Sequence, residues 1–367
     1  MKYFYIPLGF ILLSLTCSDV SSRLIAFEPG QLWPDDNGVH INAHGGGILL
    51  YEGAYYWFGE HKTEGRRGNT AQVGVHCYSS IDLYNWKDEG IVLKVSDKPE
   101  SEIVKGCIIE RPKVIYNAAT KKFVMWFHLE LNGHGYEAAR TAVAVSDKVT
   151  GPYAYVRSCR PNAGRQPIHV SPEDIKPSQE NYFQRDMEPG QMARDMTLYV
   201  DDDGKAYHIA AAEENYTLHV SLLNEDYMSF SGTFSRVLIK MHREAPALCK
   251  RNGVYYLLSS GCTGWSPNPA SYAVADNILG PYKPIDNPCI GLNPGNSMGP
   301  ELTFGGQSTF ILPVQGKKDA FVAMFDLWRP RNPIDGRYIW LPIEFDANEK
   351  MVIRYREKWD LSFFDSR

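Results

Sequence analysis

Five times along the chain, a short apolar stretch runs into a tight polar turn and returns as a stretch rich in Tyr, Trp and Phe. The copies span Gly47 to Phe58, Pro112 to Phe127, Met196 to Tyr207 and Pro246 to Leu258; the fifth is split between Ser308 to Pro313 and Ala320 to Phe325. Apolar and polar positions alternate with a period of two, and helical spacing nowhere persists beyond a turn or so. Each copy therefore predicts a β-hairpin. A second phrase follows the hairpins: Ala142 to Lys148 leads to Gly151-Pro152-Tyr153, and Ala273 to Asn277 leads to Gly280-Pro281-Tyr282. In the first copy, Val73 to Ser80 followed by Asp82 to Gly90 fills the same place. Gly-Pro marks turns here, so each copy predicts a third and a fourth strand. The pattern predicts an all-β, five-bladed β-propeller with four antiparallel strands per blade.

Two stretches depart from the pattern. Ser158 to Gln191 is irregular, rich in Pro, Gln, Asn and charge, and long for a connection; it is expected to be functional or mobile and to lie on the face where it delivers Asp195. Met351 to Trp359 has strand character and is expected to close the ring.

Of the 367 residues, 44% are hydrophobic, ample for a large core, and ring closure needs every copy. A single domain is expected from residue 24 to 367. Residues 1–23 are set apart as an export signal: Lys2 precedes an apolar run from Phe4 to Leu15 that is too short to anchor in a bilayer. Ser14-Leu15-Thr16-Cys17 resembles a bacterial lipobox with Cys17 as lipid acceptor, and plain cleavage near Ser21 or Ser22 is the other reading. A net charge of -5 gives no basic footprint for nucleic acid. The six remaining cysteines form no Cys-x-x-Cys pair that would suggest zinc, and they are expected mostly as buried small hydrophobes.

Three copies carry an acid ahead of their first strand: Glu110, Asp195 and Glu244. Pro112 and Pro246 follow two of them, as suits a strand entrance. Acids at matching repeat positions converge on the axis of a closed ring. Facing carboxylates suit glycoside hydrolysis, in which one donates a proton to the leaving oxygen and another activates water. The donor needs a raised pKa, which a second nearby carboxylate helps to provide. No Gly-rich nucleotide loop, Gly-Lys-Ser/Thr loop or Gly-x-Ser-x-Gly elbow supports other chemistry.

Taken together, His44-Gly-Gly-Gly-Ile48, Tyr55-Tyr-Trp-Phe-Gly-Glu60, Ile109-Glu-Arg-Pro-Lys-Val114, Arg194-Asp-Met-Thr-Leu198, Glu244-Ala-Pro-Ala247 and Gly306-Gln-Ser-Thr-Phe310 resemble glycoside hydrolase family 43, most of all its exo-β-1,3-galactanase branch. The resemblance covers about residues 27 to 360. It implies that Glu244 is the general acid and Asp195 the residue that tunes and orients it. The usual Asp base falls on Gly45, in the run Gly45 to Gly47. The resemblance implies that Gln307 and Glu110 replace it, Gln307 holding the water as an amide or as its imidic acid. It implies sugar contacts by Glu60, Tyr136, Asn215, Thr263 and Trp265, with Trp265 as stacking platform and Trp328 as second choice. His44 would face the axis, where some relatives hold water or calcium. No cofactor is expected to be required, and no metal ligands are assigned.

The expected substrate is β-1,3-linked galactan or arabinogalactan side chains. The protein is expected to be a monomer exported to the periplasm or outer membrane of a Gram-negative bacterium. A galactan-binding propeller without catalysis, and an arabinosidase or xylosidase of the same family, are the alternative readings. A protein-interaction propeller of the Trp-Asp-repeat kind would leave the matched acids unexplained.

Overall fold

The computed structural model describes residues 1, 23–176, 178 and 181–365; Cys17 and nearly all of the expected export signal lie outside them. Five sheets follow one another along the chain. The first blade holds β1 (His44–Tyr51), β2 (Ala54–Glu60), β3 (Gly74–Ser80) and β4 (Lys87–Lys94). The second holds β5 (Ile108–Asn117), β6 (Lys122–Glu130), β7 (Arg140–Ser146) and β8 (Ala154–Cys159). The third holds β9 (Met196–Val200), β10 (Ala206–Ala212), β11 (Thr217–Leu223) and β12 (Phe230–Val237). The fourth holds β13 (Arg243–Arg251), β14 (Val254–Gly261), β15 (Ser271–Ala275) and β16 (Lys283–Pro284). The fifth adds a two-residue parallel strand, β17 (Cys289–Ile290), to the antiparallel set β18 (Gln307–Pro313), β19 (Phe321–Leu327), β20 (Arg337–Phe345) and β21 (Met351–Arg354).

The inner strands close a ring: β1 packs on β5, β5 on β9, β9 on β13, β13 on β18, and β18 back on β1. Each sheet buries both faces, so each joint between blades has its own apolar cluster. Phe58 and Cys77 meet Met125 between the first two blades, and Ile209 and Val220 meet Leu257 between the third and fourth. Each fully buried side chain of this size contributes about 1.5–3 kcal/mol relative to exposure. The joint between the fifth and first blades is the most aromatic, with Trp57 and Trp340 ring centres 4.8 Å apart.

Met351–Arg354 completes the fifth blade instead of adding a strand to the first. The chain ends are instead tied at Phe27 and Trp359, which exchange backbone hydrogen bonds of 2.7 and 3.1 Å. The irregular stretch before β9 carries one short helix, α1 (Tyr182–Arg185). Phe183 and Met187 bury against Phe234, and Asp174 pairs with the buried Arg236, which also holds Glu213. None of the six described cysteines is paired; Cys77, Cys107, Cys249 and Cys289 are buried.

Candidate active site

The inner strands share a local irregularity that aims the site. Strand register slips between His44 and Gly47, between Glu110 and Lys113, and between Glu244 and Ala247. The first of the two residues inside each slip has a left-handed backbone: φ is 59° at Gly45, 56° at Arg111 and 53° at Ala245. Such a bulge redirects the neighbouring side chains, and two of the three are paid for by non-glycine residues, which take this conformation only at a cost. His44, Glu110 and Glu244 therefore occupy one equivalent position, facing Glu60, His128 and Ser260 on the second strands. Asp195 stands just ahead of β9, its carbonyl accepting from Ala211 N–H at 2.9 Å.

Glu110, Asp195, Glu244 and Gln307 converge on one cavity of about 350 Å³ at the axis. Arg111 links them. Its Nη2 donates to Asp195 Oδ2 at 2.8 Å and to Gln307 Oε1 at 2.6 Å, and its Nη1 to the Ser308 carbonyl at 3.0 Å. Gln307 Nε2 donates to Glu244 Oε1 at 2.9 Å and to Ser260 Oγ at 3.0 Å. Trp328 Nε1 adds a second donor to Gln307 Oε1 at 2.8 Å. An oxygen facing two obligate donors is the carbonyl of an ordinary amide, so the imidic acid does not fit this arrangement. Burial, then the charge of Asp195, raises the Glu244 carboxyl to about 8, which keeps it protonated at neutral pH.

Glu110 is the reverse. Burial pushes its pKa up, but hydrogen bonding and charge from His128, the charge of Lys62 and the Tyr136 hydroxyl outweigh that and hold it far below the usual carboxylate range. Tyr136 Oη donates to Glu110 Oε1 at 2.7 Å, Asn69 Nδ2 to the same oxygen at 3.2 Å, and His128 Nδ1 lies 3.0 Å from Oε2. Neither Arg111 nor Arg243 pairs with the acid beside it in sequence: Arg111 serves Asp195, and Arg243 hydrogen-bonds Ser259.

In the first blade, the glycine at the bulge makes room for a carboxylate from the second strand. A Cβ on Gly45 would stand 2.1 Å from Glu60 Oε1, so the Glu60 carboxylate fills that space. Glu60 accepts from Arg111 N–H at 2.8 Å and pairs with Lys62; burial leads the causes that raise its pKa. Gly45 N–H donates to Asp326 Oδ2 at 3.0 Å, and the Gly45 carbonyl accepts from Lys113 Nζ at 2.8 Å. Asp326 is pushed up to about 7, chiefly by burial.

At the cavity wall stand Glu60, Tyr136, Asn215, Trp265 and Trp328. Asn215 Nδ2 donates to Glu244 Oε2 at 3.0 Å, while its buried Oδ1 has no protein partner. Trp265 is 38% exposed and meets Trp328 edge-on, centroids 5.3 Å apart. Thr263 does not reach the wall: its hydroxyl donates to the Ser266 carbonyl at 2.6 Å and accepts from Asn268 at 2.7 Å, within its own loop. Arg111, His128 and Arg194 line the cavity too; the motifs along the chain give no sign of it.

The axis does not offer calcium a suitable donor set at His44. The imidazole is fully buried, both ring nitrogens lack a partner, and it stacks on Tyr338 at 5.3 Å. After burial, the nearby charges that lower its pKa are those of Lys62, His40, His61 and Arg337. Calcium prefers carboxylate and carbonyl oxygens, and these neighbours are cationic or potentially so. Ligand atoms of Glu110, His128 and Asp195 lie within 4.8 Å of one another, but each already has a partner among neighbouring side chains.

Comparison with known proteins completes the picture. The model of glycosyl hydrolases family 43 matches residues 176–323. A solved family 43 β-1,3-galactosidase, bound to galactodeoxynojirimycin, is 48% identical over 91% of this chain and 100% of its own, with a TM-score of 0.87. An exo-β-1,3-galactanase from Phanerochaete chrysosporium, solved with β-1,3-galactotriose, is 29% identical over 92% of this chain and 68% of its own, with a TM-score of 0.76. Among curated relatives, a β-D-galactofuranosidase of Aspergillus niger is 30% identical over 131 residues; that match spans 34% of this chain and 37% of the relative's length.

Proposed function

Because the chain belongs to family 43 of the glycosyl hydrolases and is a glycoside hydrolase, we propose that it releases galactose from the non-reducing end of β-1,3-galactan with inversion at the anomeric carbon. The observation that carries this reading is that two carboxyls line one cavity in different settings, Glu244 between the Gln307 and Asn215 amides and Glu110 against the His128 ring and the Tyr136 hydroxyl, which push the first toward the acid and the second toward the anion. An inverting glycosidase needs those two states at neutral pH. The choice of galactan is supported by the full-length likeness to a β-1,3-galactosidase and by the galactotriose-bound relative.

In this mechanism Glu244 protonates the glycosidic oxygen as the bond to the anomeric carbon breaks. Water attacks the opposite face and gives up its proton there. Asp195 raises the Glu244 pKa by its charge and positions Arg111. All four hydrogen-bonding places of Gln307 are filled, by Arg111, Trp328, Glu244 and Ser260. Gln307 therefore steadies the acid and meets the water only by exchanging one of these bonds. Glu110 takes the water's proton. Asn215, Tyr136 and Glu60 meet the sugar hydroxyls, and Trp265 takes its apolar face. Thr263 contributes only if its loop turns toward the sugar.

The protein is taken to act as an exported monomer, in the periplasm or held on the outer membrane through Cys17. Lys2, the apolar run after it and Cys17 support export; fractionation of cells carrying Cys17→Ala, with enzyme still in the membrane fraction, would refute the anchor. The function is tested by mass analysis of products from β-1,3-galactan. Galactose alone from the start fits the proposal. Larger fragments first, no product at high enzyme, or pentose release from arabinosides or xylosides instead, would each refute it.

A further inference from the structure

Glu110 and Glu244 hold the same place in their blades, yet their surroundings push the first toward the anion and the second toward the acid, and the residue facing each across the hairpin differs. Glu244 faces Ser260, and Glu110 faces His128. His128 is 1% exposed, and both its nitrogens meet carboxylates: Nδ1 lies 3.0 Å from Glu110 Oε2 and Nε2 2.8 Å from Glu130 Oε1. Glu130 is fully buried, and its other oxygen accepts from Ala139 N–H at 2.9 Å. An imidazole that bonds a carboxylate oxygen from each nitrogen can donate to both when both nitrogens carry hydrogen. The Glu110–His128–Glu130 chain runs from the cavity wall into the second blade.

We propose that His128 is a positioning residue: an imidazolium at neutral pH, clamped between Glu110 and Glu130, that fixes Glu110 in its ionised form and gives it a setting that Glu244 lacks. This rests on the functional reading of Glu110 given above. Charge-assisted hydrogen bonds of this kind are stronger than neutral ones, and burial leaves little water to screen them. His128 is itself raised to about 9 by the two carboxylates against the effect of burial. The other charged or titratable groups near this pair are Arg111 beside Glu110, Glu60 at the end of β2, Lys62 after β2, Asp195 before β9, Glu244 across the cavity and the Tyr136 hydroxyl. With the cation removed, Glu110 loses its main hydrogen-bonding partner and should protonate at higher pH.

Three measurements test this. In the intact wild-type protein, nitrogen-15 NMR of the imidazoles should show His128 doubly protonated at pH 7.5; a neutral ring there overturns the proposal without any variant. In His128→Asn, which keeps a donor toward Glu110 but no charge, the acid limb of kcat/KM should move up by at least about one pH unit, a tenfold change in proton concentration. A folded His128→Asn protein whose acid limb stays in place overturns the proposal, whatever its overall rate. Glu110→Gln separates the two levels: full activity there sinks the role of Glu110 itself, while an inactive Glu110→Gln beside an unmoved limb in His128→Asn sinks only the role of His128.

Discussion

Gln307 donates its amide directly to the proton donor: Nε2 stands 2.9 Å from Glu244 Oε1. The amide cannot turn over, because its oxygen is held by Arg111 and Trp328. A donor to Glu244 favours the ionised form, and this bond is one of the influences that lower its pKa against burial and Asp195.

Replacing Gln307 with Leu should therefore do two things at once. Turnover should fall by roughly 10²-fold, within the range for losing a well-placed acid–base partner. The alkaline limb of kcat/KM, set by Glu244 at about 8, should move to higher pH. A rate loss with the limb shifted to lower pH would contradict the arrangement.

Arg111 is 4% exposed and ties Asp195 to Gln307. Arg111→Met should leave the Asp195 charge and the Gln307 oxygen without their shared partner. Removing one member of a buried ion pair costs about 3–5 kcal/mol, so urea unfolding should show a loss of that order alongside near-complete loss of turnover. Arg111→Lys should restore part of the stability but little activity, because a single ammonium lacks the second nitrogen that holds the Ser308 carbonyl while the first serves Asp195 and Gln307. Equal recovery of both would argue against the bridging role.

The space beyond Gly45 belongs to Glu60. Gly45→Asp should not restore the base seen elsewhere in the family, since its Cβ would lie 2.1 Å from Glu60 Oε1 on a backbone with φ of 59°. Loss of activity with roughly 1–3 kcal/mol of destabilisation is expected. In a Glu60→Ala background the further cost of Gly45→Ala should shrink, and a double-mutant cycle measures that coupling. Strict additivity would mean the two positions do not compete.

Asp326 should make stability fall as pH rises. Its folded value, about 7, lies above the ordinary carboxylate range. The stabilisation is complete below the unfolded value near pH 4 and is lost as pH climbs through 7. Asp326→Asn, which still accepts from Gly45 N–H, should flatten that decline, on the order of a few kcal/mol at most. Chemical denaturation at pH 4.5 and 7.5 compares the two proteins directly; identical slopes would refute the assignment.

The strands were legible because period-two alternation and Gly-Pro turns are local properties of the chain. The acids were legible because Pro112 and Pro246 follow Glu110 and Glu244 at matching distances, although β5 and β13 begin before the acids and the prolines sit in the bulges inside them instead of at the strand entrances. Arg111 and His128 were not, because their roles depend on a bulge and a cross-strand register that no local spacing reveals. The one hint was His128 and Glu130 alternating in an otherwise apolar strand. The resemblance places Thr263 at the sugar, whereas its loop closes on its own hydroxyl. Trp328 carries more of the site than expected, since it both holds Gln307 and lies over Arg111 at 5.4 Å. Of the stretch from Met351 to Trp359, only Met351–Arg354 is a strand, and its pairing with β20 depends on tertiary contacts.

The most direct test follows the first turnovers on β-1,3-galactotriose by proton NMR. The account predicts that wild-type enzyme releases galactose as the α-anomer before mutarotation, and that Glu244→Gln releases essentially none while still binding the sugar. β-Galactose appearing first, or undiminished release by Glu244→Gln, would contradict it.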